Sequence, residues 1–70
     1  MKNSIKEALI KAGINNLKQF GYPSCNKDNI LTDYVFSKFF VSMLKDDSNK
    51  NKGIDKEIKE LIEEIENNNK

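Results

Sequence analysis

The chain has 70 residues, a net charge of +1, one Cys and no His. That is one domain, with no disulfide framework, no histidine-based zinc site and no His to activate a nucleophile. No run of about 20 apolar residues is present to span a membrane, and a charge so near zero argues for neither nucleic acid nor a membrane surface.

Asn3 or Ser4 can cap a first helix, and Glu7 follows Ser4 at the spacing of a capping box. Ile5, Leu9, Ala12, Leu17 and Phe20 then form an apolar stripe, broadened by Ala8, Ile10 and Ile14. Gly13 interrupts it at a cost of about 1 kcal/mol relative to Ala. A break at Gly13 would resemble a helix-turn-helix, with Ile14 to Phe20 entering a groove. That second helix would be very short, with Asn15, Asn16, Lys18 and Gln19 as its only polar readers. A continuous helix over 4–20 is therefore preferred, stopped by Gly21, with Pro23 beyond it.

Gly21 to Cys25 reads as a turn. Tyr22 precedes Pro and is pushed toward an extended conformation, its ring against the core and its hydroxyl outward. Cys25 lacks an activator, so it reads as a small, partly buried loop residue and not a nucleophile. Its solitude fits a reducing compartment, and no basic start with a long apolar run follows Met1; a cytoplasmic protein is expected. Asn26 can cap a single helical turn over 27–31, anchored by Ile30 and Leu31.

Thr32 to Leu44 is the most apolar run and holds three of the four Phe residues. Phe36, Phe39, Phe40, Met43 and Leu44 recur at spacings of three and four, the period of a helical face. Thr32 is the expected N-cap and Asp33 sits in the first turn, giving a helix over 33–45. Ser37, Lys38, Ser42 and Lys45 are expected to face water. Tyr34, Val35 and Val41 widen the stripe, which predicts neighbours on two sides. The Phe cluster has one functional reading, a groove or patch for a partner. Core is preferred, because a chain this short buries only about 60% of its unfolded surface and needs its large side chains inside.

Asp46 to Gly53 is polar and aperiodic, and reads as a solvent loop. The Asp46–Asp47 pair lacks the spaced oxygen ligands of a calcium loop, so no metal site is expected. Asp55 is the expected N-cap of a last helix, 55–66. Its narrow stripe of Ile58, Leu61, Ile62 and Ile65, with Ile54 before them, suits one-sided docking; about two heptads are too few to specify a coiled coil. Residues 67–70 read as a disordered polar tail.

The expected architecture is all-α: a single domain over 1–66, three main helices with an extra helical turn before the central one. The expected core holds Ile5, Leu9, Leu17, Phe20, Ile30, Leu31, Phe36, Phe39, Phe40, Met43, Leu44, Ile58, Leu61, Ile62 and Ile65.

Gly21-Tyr22-Pro23, Asn29-Ile30-Leu31-Thr32-Asp33, Phe39-Phe40 and Met43-Leu44, followed by a loop and an Ile-Leu helix, form an arrangement that resembles small helical proteins of bacteriophages and prophages with no assigned function. The resemblance covers Lys6 to Ile65. It implies a viral or mobile-element origin and carries over no catalytic or binding residue.

The chain has no glycine-rich phosphate loop, no paired metal-ligand motif and no nucleophile elbow. No catalytic residue, metal or cofactor is implied, and an enzyme is not expected. Charge is segregated: Lys2, Lys6, Lys11, Lys18 and Lys27 face only Glu7 in residues 1–27, while the last helix is rich in Glu. The expected function is a small protein-interaction module, a phage or prophage accessory protein binding a host protein with a basic surface through Glu57, Glu60, Glu63, Glu64 and Glu66. One alternative is a nucleic-acid-binding protein using Lys6, Lys11 and Lys18, though the absence of Arg weighs against sequence-specific reading. Another is an assembly component acting as an oligomer. A homodimer is a natural form for so small a core.

Overall fold

The computed structural model describes residues 4–69. Four α-helices follow in order: α1 (Ser4–Gln19), α2 (Lys27–Thr32), α3 (Tyr34–Lys50) and α4 (Asp55–Asn68). A 3-10 turn at Lys52–Ile54 joins the last two, and there is no strand among the described residues. The all-α class and the short helical turn before the central helix are as the periodicity indicates. Each helix packs against the other three.

α1 runs unbroken through Gly13, and the reason lies in packing. Gly13 is buried, and a Cβ placed there would lie 2.6 Å from Phe40 Cδ1 and 2.9 Å from Ile30 Cδ1. The bare backbone is the seat for those two side chains. At the other end of α1, the Tyr22 N–H donates to the Leu17 carbonyl at 3.0 Å and the Gly21 N–H donates to that of Lys18 at 3.2 Å. This is a Schellman closure, with Gly21 at φ +112°. At the start of α1, Ser4 is already helical, and Glu7 accepts from Lys27 Nζ at 3.1 Å. Asn3 lies outside the described residues.

The caps fall differently from the sequence expectation. Asn26 and Asn29 form a reciprocal capping box on α2. Thr32, expected to cap α3, is instead the last residue of α2, and its hydroxyl donates to the Asp28 carbonyl at 2.9 Å. Asp33 caps α3, its carboxylate accepting from the N–H groups of Val35 at 2.9 Å and Phe36 at 3.1 Å. A carboxylate at an N-cap also meets the positive end of the helix dipole.

The expected loop from Asp46 is mostly helix. α3 continues to Lys50, supported by an Asp46–Lys50 ion pair at 3.2 Å. Ser48 donates to Asp55 across the bend into α4. Asp55 is therefore the first residue of α4 and not its cap; Ile54 occupies the cap position without a side-chain bond. The reversal is confined to Asn51 and the 3-10 turn, where Asn51 Oδ1 accepts from the Gly53 N–H at 3.1 Å. α4 extends through Asn68, past the residue where the tail was expected to begin. Asn69 folds back: its amide donates to the Ile65 carbonyl at 3.0 Å and to Ser37 Oγ at 3.2 Å.

The core comprises Leu9, Ile10, Leu17, Cys25, Ile30, Phe40, Leu44, Ile58, Leu61 and Ile65. Leu31, Phe36, Met43 and Ile62 of the expected core pack at its edge. Ser37, expected to face water, is buried; its hydroxyl donates to the Tyr34 carbonyl and accepts from Asn69, so the burial is compensated. Ile5, Phe20 and Phe39, also expected in the core, are exposed. Phe20 sits one residue past α1, where the chain turns away. Phe39 is one residue from Phe40 and so is rotated about 100° from it.

Replacing Gly13 with Ala tests the seat. Helix propensity alone predicts stabilisation of about 1 kcal/mol. Overpacking against immobile Phe40 costs about 1–3 kcal/mol, so a net loss is expected, read as a fall in Tm of several degrees. A rise in Tm would show that the ring has room to move.

Candidate functional site

α3 is covered on one side and open on the other. Phe40 and Leu44 point inward at 1% and 0% exposure, while Tyr34, Val35 and Phe39 remain 65%, 50% and 48% exposed. α3 has neighbours on more than one side, α1, α2 and α4, and together they still leave an outer arc bare. The C-terminal end of α1 adds Phe20, at 77% exposure the most open large apolar side chain among the described residues.

These side chains form one continuous face. Tyr22, held by the α1 closure, packs edge-on against Phe36 with ring centroids 5.4 Å apart and tilts against Phe39 at 6.0 Å. Phe39 stands between two clefts. One, of about 390 Å³, runs between α1 and α3 from Gly13 and Phe20 to Met43 and Asp46. The other, of about 520 Å³, lies along α3 between Tyr34, Val35, Lys38 and Ser42. The polar groups are few: Asn16, whose amide donates to the Met43 sulfur, Ser42, Asp46, and Lys38, whose ammonium lies 5.3 Å from the Tyr34 ring centroid. A contiguous aromatic face with a sparse polar rim is the usual character of a protein contact surface.

The charged residues singled out from the sequence lie elsewhere, and two of them meet. Lys6 Nζ is 2.6 Å from Glu60 Oε1, so the basic α1 and the acidic α4 attract within one chain. The hydrogen bond from Lys6 holds the Glu60 carboxyl below its ordinary 4.5, aided by the Lys6 charge. The same bond raises the Lys6 amine above its ordinary 10.5; partial burial opposes this, and the charges of Glu60, Glu64 and Glu57 add to it. Glu57 is half-buried; Glu63, Glu64 and Glu66 are exposed and form no ion pair with another described residue. Lys11 and Lys18 are exposed and, seven residues apart, share one face of α1, from which Lys6 is turned by more than about 100°.

Cys25 is 2% exposed, more buried than the turn suggested. Burial pushes its thiol up, the Lys18 charge opposes this and the Asp33 charge adds to it. The thiol is therefore kept in its protonated form, the opposite of an activated nucleophile. Among the described residues no three His, Cys, Asp or Glu side chains gather to hold a metal, and no helix is long and apolar enough to cross a membrane.

Comparison of the chain with protein-family models, with curated proteins and with solved structures finds no match.

The Lys6–Glu60 pair fixes a pH dependence. Glu60 is depressed when folded, so its contribution is present above pH 4.5 and is lost as pH falls through the lower folded value. Lys6 is raised, so its contribution is present below pH 10.5 and is lost as pH rises through the higher folded value. Glu60→Gln should lower the urea midpoint at neutral pH and leave it unchanged once the wild-type carboxyl is protonated. An equal difference at both pH values would mean that the pair is not the cause.

Proposed function

We propose that this chain is a small non-enzymatic protein-interaction module that works by docking an apolar protein surface on the aromatic face of α1 and α3. The observation that carries this is the exposure of Phe20, Tyr34, Val35 and Phe39 together. A chain of 70 residues has few large apolar side chains to bury. Leaving four of them in water on one face forgoes stability that their burial would supply, at about 1.5–3 kcal/mol for each fully buried side chain. A covering partner recovers it.

In this reading the contact face differs from the acidic one expected from the sequence. Glu60 is already engaged by Lys6, and Glu57 is half-buried. Glu63, Glu64 and Glu66 remain as a solvated rim able to steer a basic partner toward the molecule. The nucleic-acid alternative loses one of its three lysines to the same pair. The resemblance to phage and prophage proteins suggests a bacterial cytoplasm as the setting and a host protein among the molecules met there.

The test is capture of a tagged protein co-expressed in bacteria with an untagged copy, read by mass spectrometry after nuclease treatment. A protein, host or untagged copy, retained by the wild type and lost with the Phe20→Ser/Phe39→Ser double variant is expected. Both residues are exposed, so the double variant keeps its fold, which circular dichroism checks. Capture unchanged in that variant but lost with Glu63→Lys/Glu64→Lys/Glu66→Lys would move the site to α4. Capture that disappears with nuclease would favour nucleic acid and the lysines of α1.

A further inference from the structure

The cleft between α1 and α3 is aromatic at one end and polar at the other. Leu17, Phe20 and Phe39 line it and also line a neighbouring depression of about 320 Å³ that Tyr22 completes, so the two openings meet at those side chains. Met43 follows Phe39 one helical turn along α3, and Asn16, Ser42 and Asp46 complete the polar end. Asp46 is the only charged residue of this lining. Lys38 and Lys45 line the groove on the α4 side of the helix instead.

The polar groups of the cleft are set to accept hydrogen bonds. The Asn16 amide N–H donates to the Met43 sulfur, which leaves the Asn16 carbonyl oxygen as an acceptor. Asp46 takes Lys50 Nζ on Oδ2 at 3.2 Å and keeps Oδ1 for a second donor. An aromatic wall that leads to a carboxylate and a carbonyl is the complement of a guanidinium. That group is planar and weakly hydrated, stacks on rings, forks onto carboxylates, and carries five N–H donors and no acceptor. An ammonium is a compact, strongly hydrated charge and gains less from the rings. An aliphatic side chain would fill the aromatic end and leave the acceptors unmatched.

We propose that this cleft is an arginine subsite. It takes the side chain of an arginine on a partner protein, with the stem against Phe20 and Phe39 and the guanidinium at Asp46 and the Asn16 carbonyl. This rests on reading the face as a docking surface for a protein. The Asp46–Lys50 pair does not bar the ligand. Its side chains are 61% and 74% exposed, and an exposed pair of this spacing is worth little. Lys50 is therefore a competitor for the same carboxylate.

The test is a fluorine NMR titration of the full chain labelled with fluorophenylalanine. The probe is N-acetylarginine methylamide, added to about 100 mM at constant ionic strength, with N-acetylleucine methylamide as the apolar comparison. The arginine probe should shift Phe20 and Phe39 saturably and leave the buried Phe40 in place. Asp46→Asn should weaken its binding about two- to five-fold, and Lys50→Gln should tighten it. Loss of a merely structural ion pair would move both variants in the same direction. The leucine probe should be indifferent to both substitutions. No saturable shift with the arginine probe, or equal binding to wild type and Asp46→Asn, overturns the subsite. If the leucine probe still shifts Phe39 in that case, the face remains a docking surface and only the arginine is refuted. If neither probe shifts Phe20 or Phe39, and capture survives Phe20→Ser/Phe39→Ser, the functional reading fails as well.

Discussion

The Phe40 ring lies against the bare backbone of Gly13, with Ile30 beside it, and the rest of the structure follows from that approach. Any side chain at position 13 would occupy space that the ring now fills, so α1 and α3 can lie this close only through a glycine. Phe40, Ile30 and Leu44 are fully shielded where the first three helices meet. Ile58, Leu61 and Ile65 of α4 close the core from its far side. Removing a buried Phe in such a setting costs about 3–5 kcal/mol, a large part of the stability available to a domain of this size.

The exposed face is a consequence of the same seating. A helix turns by about 100° per residue, so seating Phe40 in the core rotates its neighbour Phe39 away from Gly13 and Ile30, onto an arc that no other helix fully covers. α2 is too short to reach around α3, and α1 ends at Gln19, leaving Phe20 at the lip of the cleft. Charge is arranged consistently with this. The pairs Lys6–Glu60 and Lys27–Glu7 join α1 to α4 and α2, and none of these four side chains lines the clefts beside Phe39.

Helix number, class and most of the core were legible in the sequence, because three- and four-residue spacings are a strong signal when the apolar residues are large. The stop at Gly21 was legible for a similar reason, since a glycine at that position has a local geometric role. Gly13 reads in the sequence only as an interruption, because its purpose depends on Phe40 and Ile30, which are distant in sequence. The end of α3 is not legible because Asp46 to Lys50 has no apolar period; its helicity is supported by the weak local i,i+4 pair Asp46–Lys50 and by the Ser48–Asp55 hydrogen bond, which depends on where α4 is placed. The cap of α3 moved by one residue because Thr32 and Asp33 are both good caps and the preceding helix already uses Thr32. In the sequence the aromatic arc reads equally as a partner patch or as core, and chain length favours core. Its signal was present: an apolar arc over more than half of α3, in a chain too short to wrap it.

The central claim is that neighbouring Phe residues of one helix lie on opposite sides of the protein surface. Fluorine NMR of protein labelled with fluorophenylalanine, in dilute solution with a soluble paramagnetic agent, measures this for all four Phe residues at once. The structure predicts the strongest broadening for Phe20, then Phe39, less for the half-buried Phe36, and none for Phe40. Equal shielding of Phe39 and Phe40, or a Phe40 resonance open to the agent, would contradict the packing of α3 and the docking surface proposed from it.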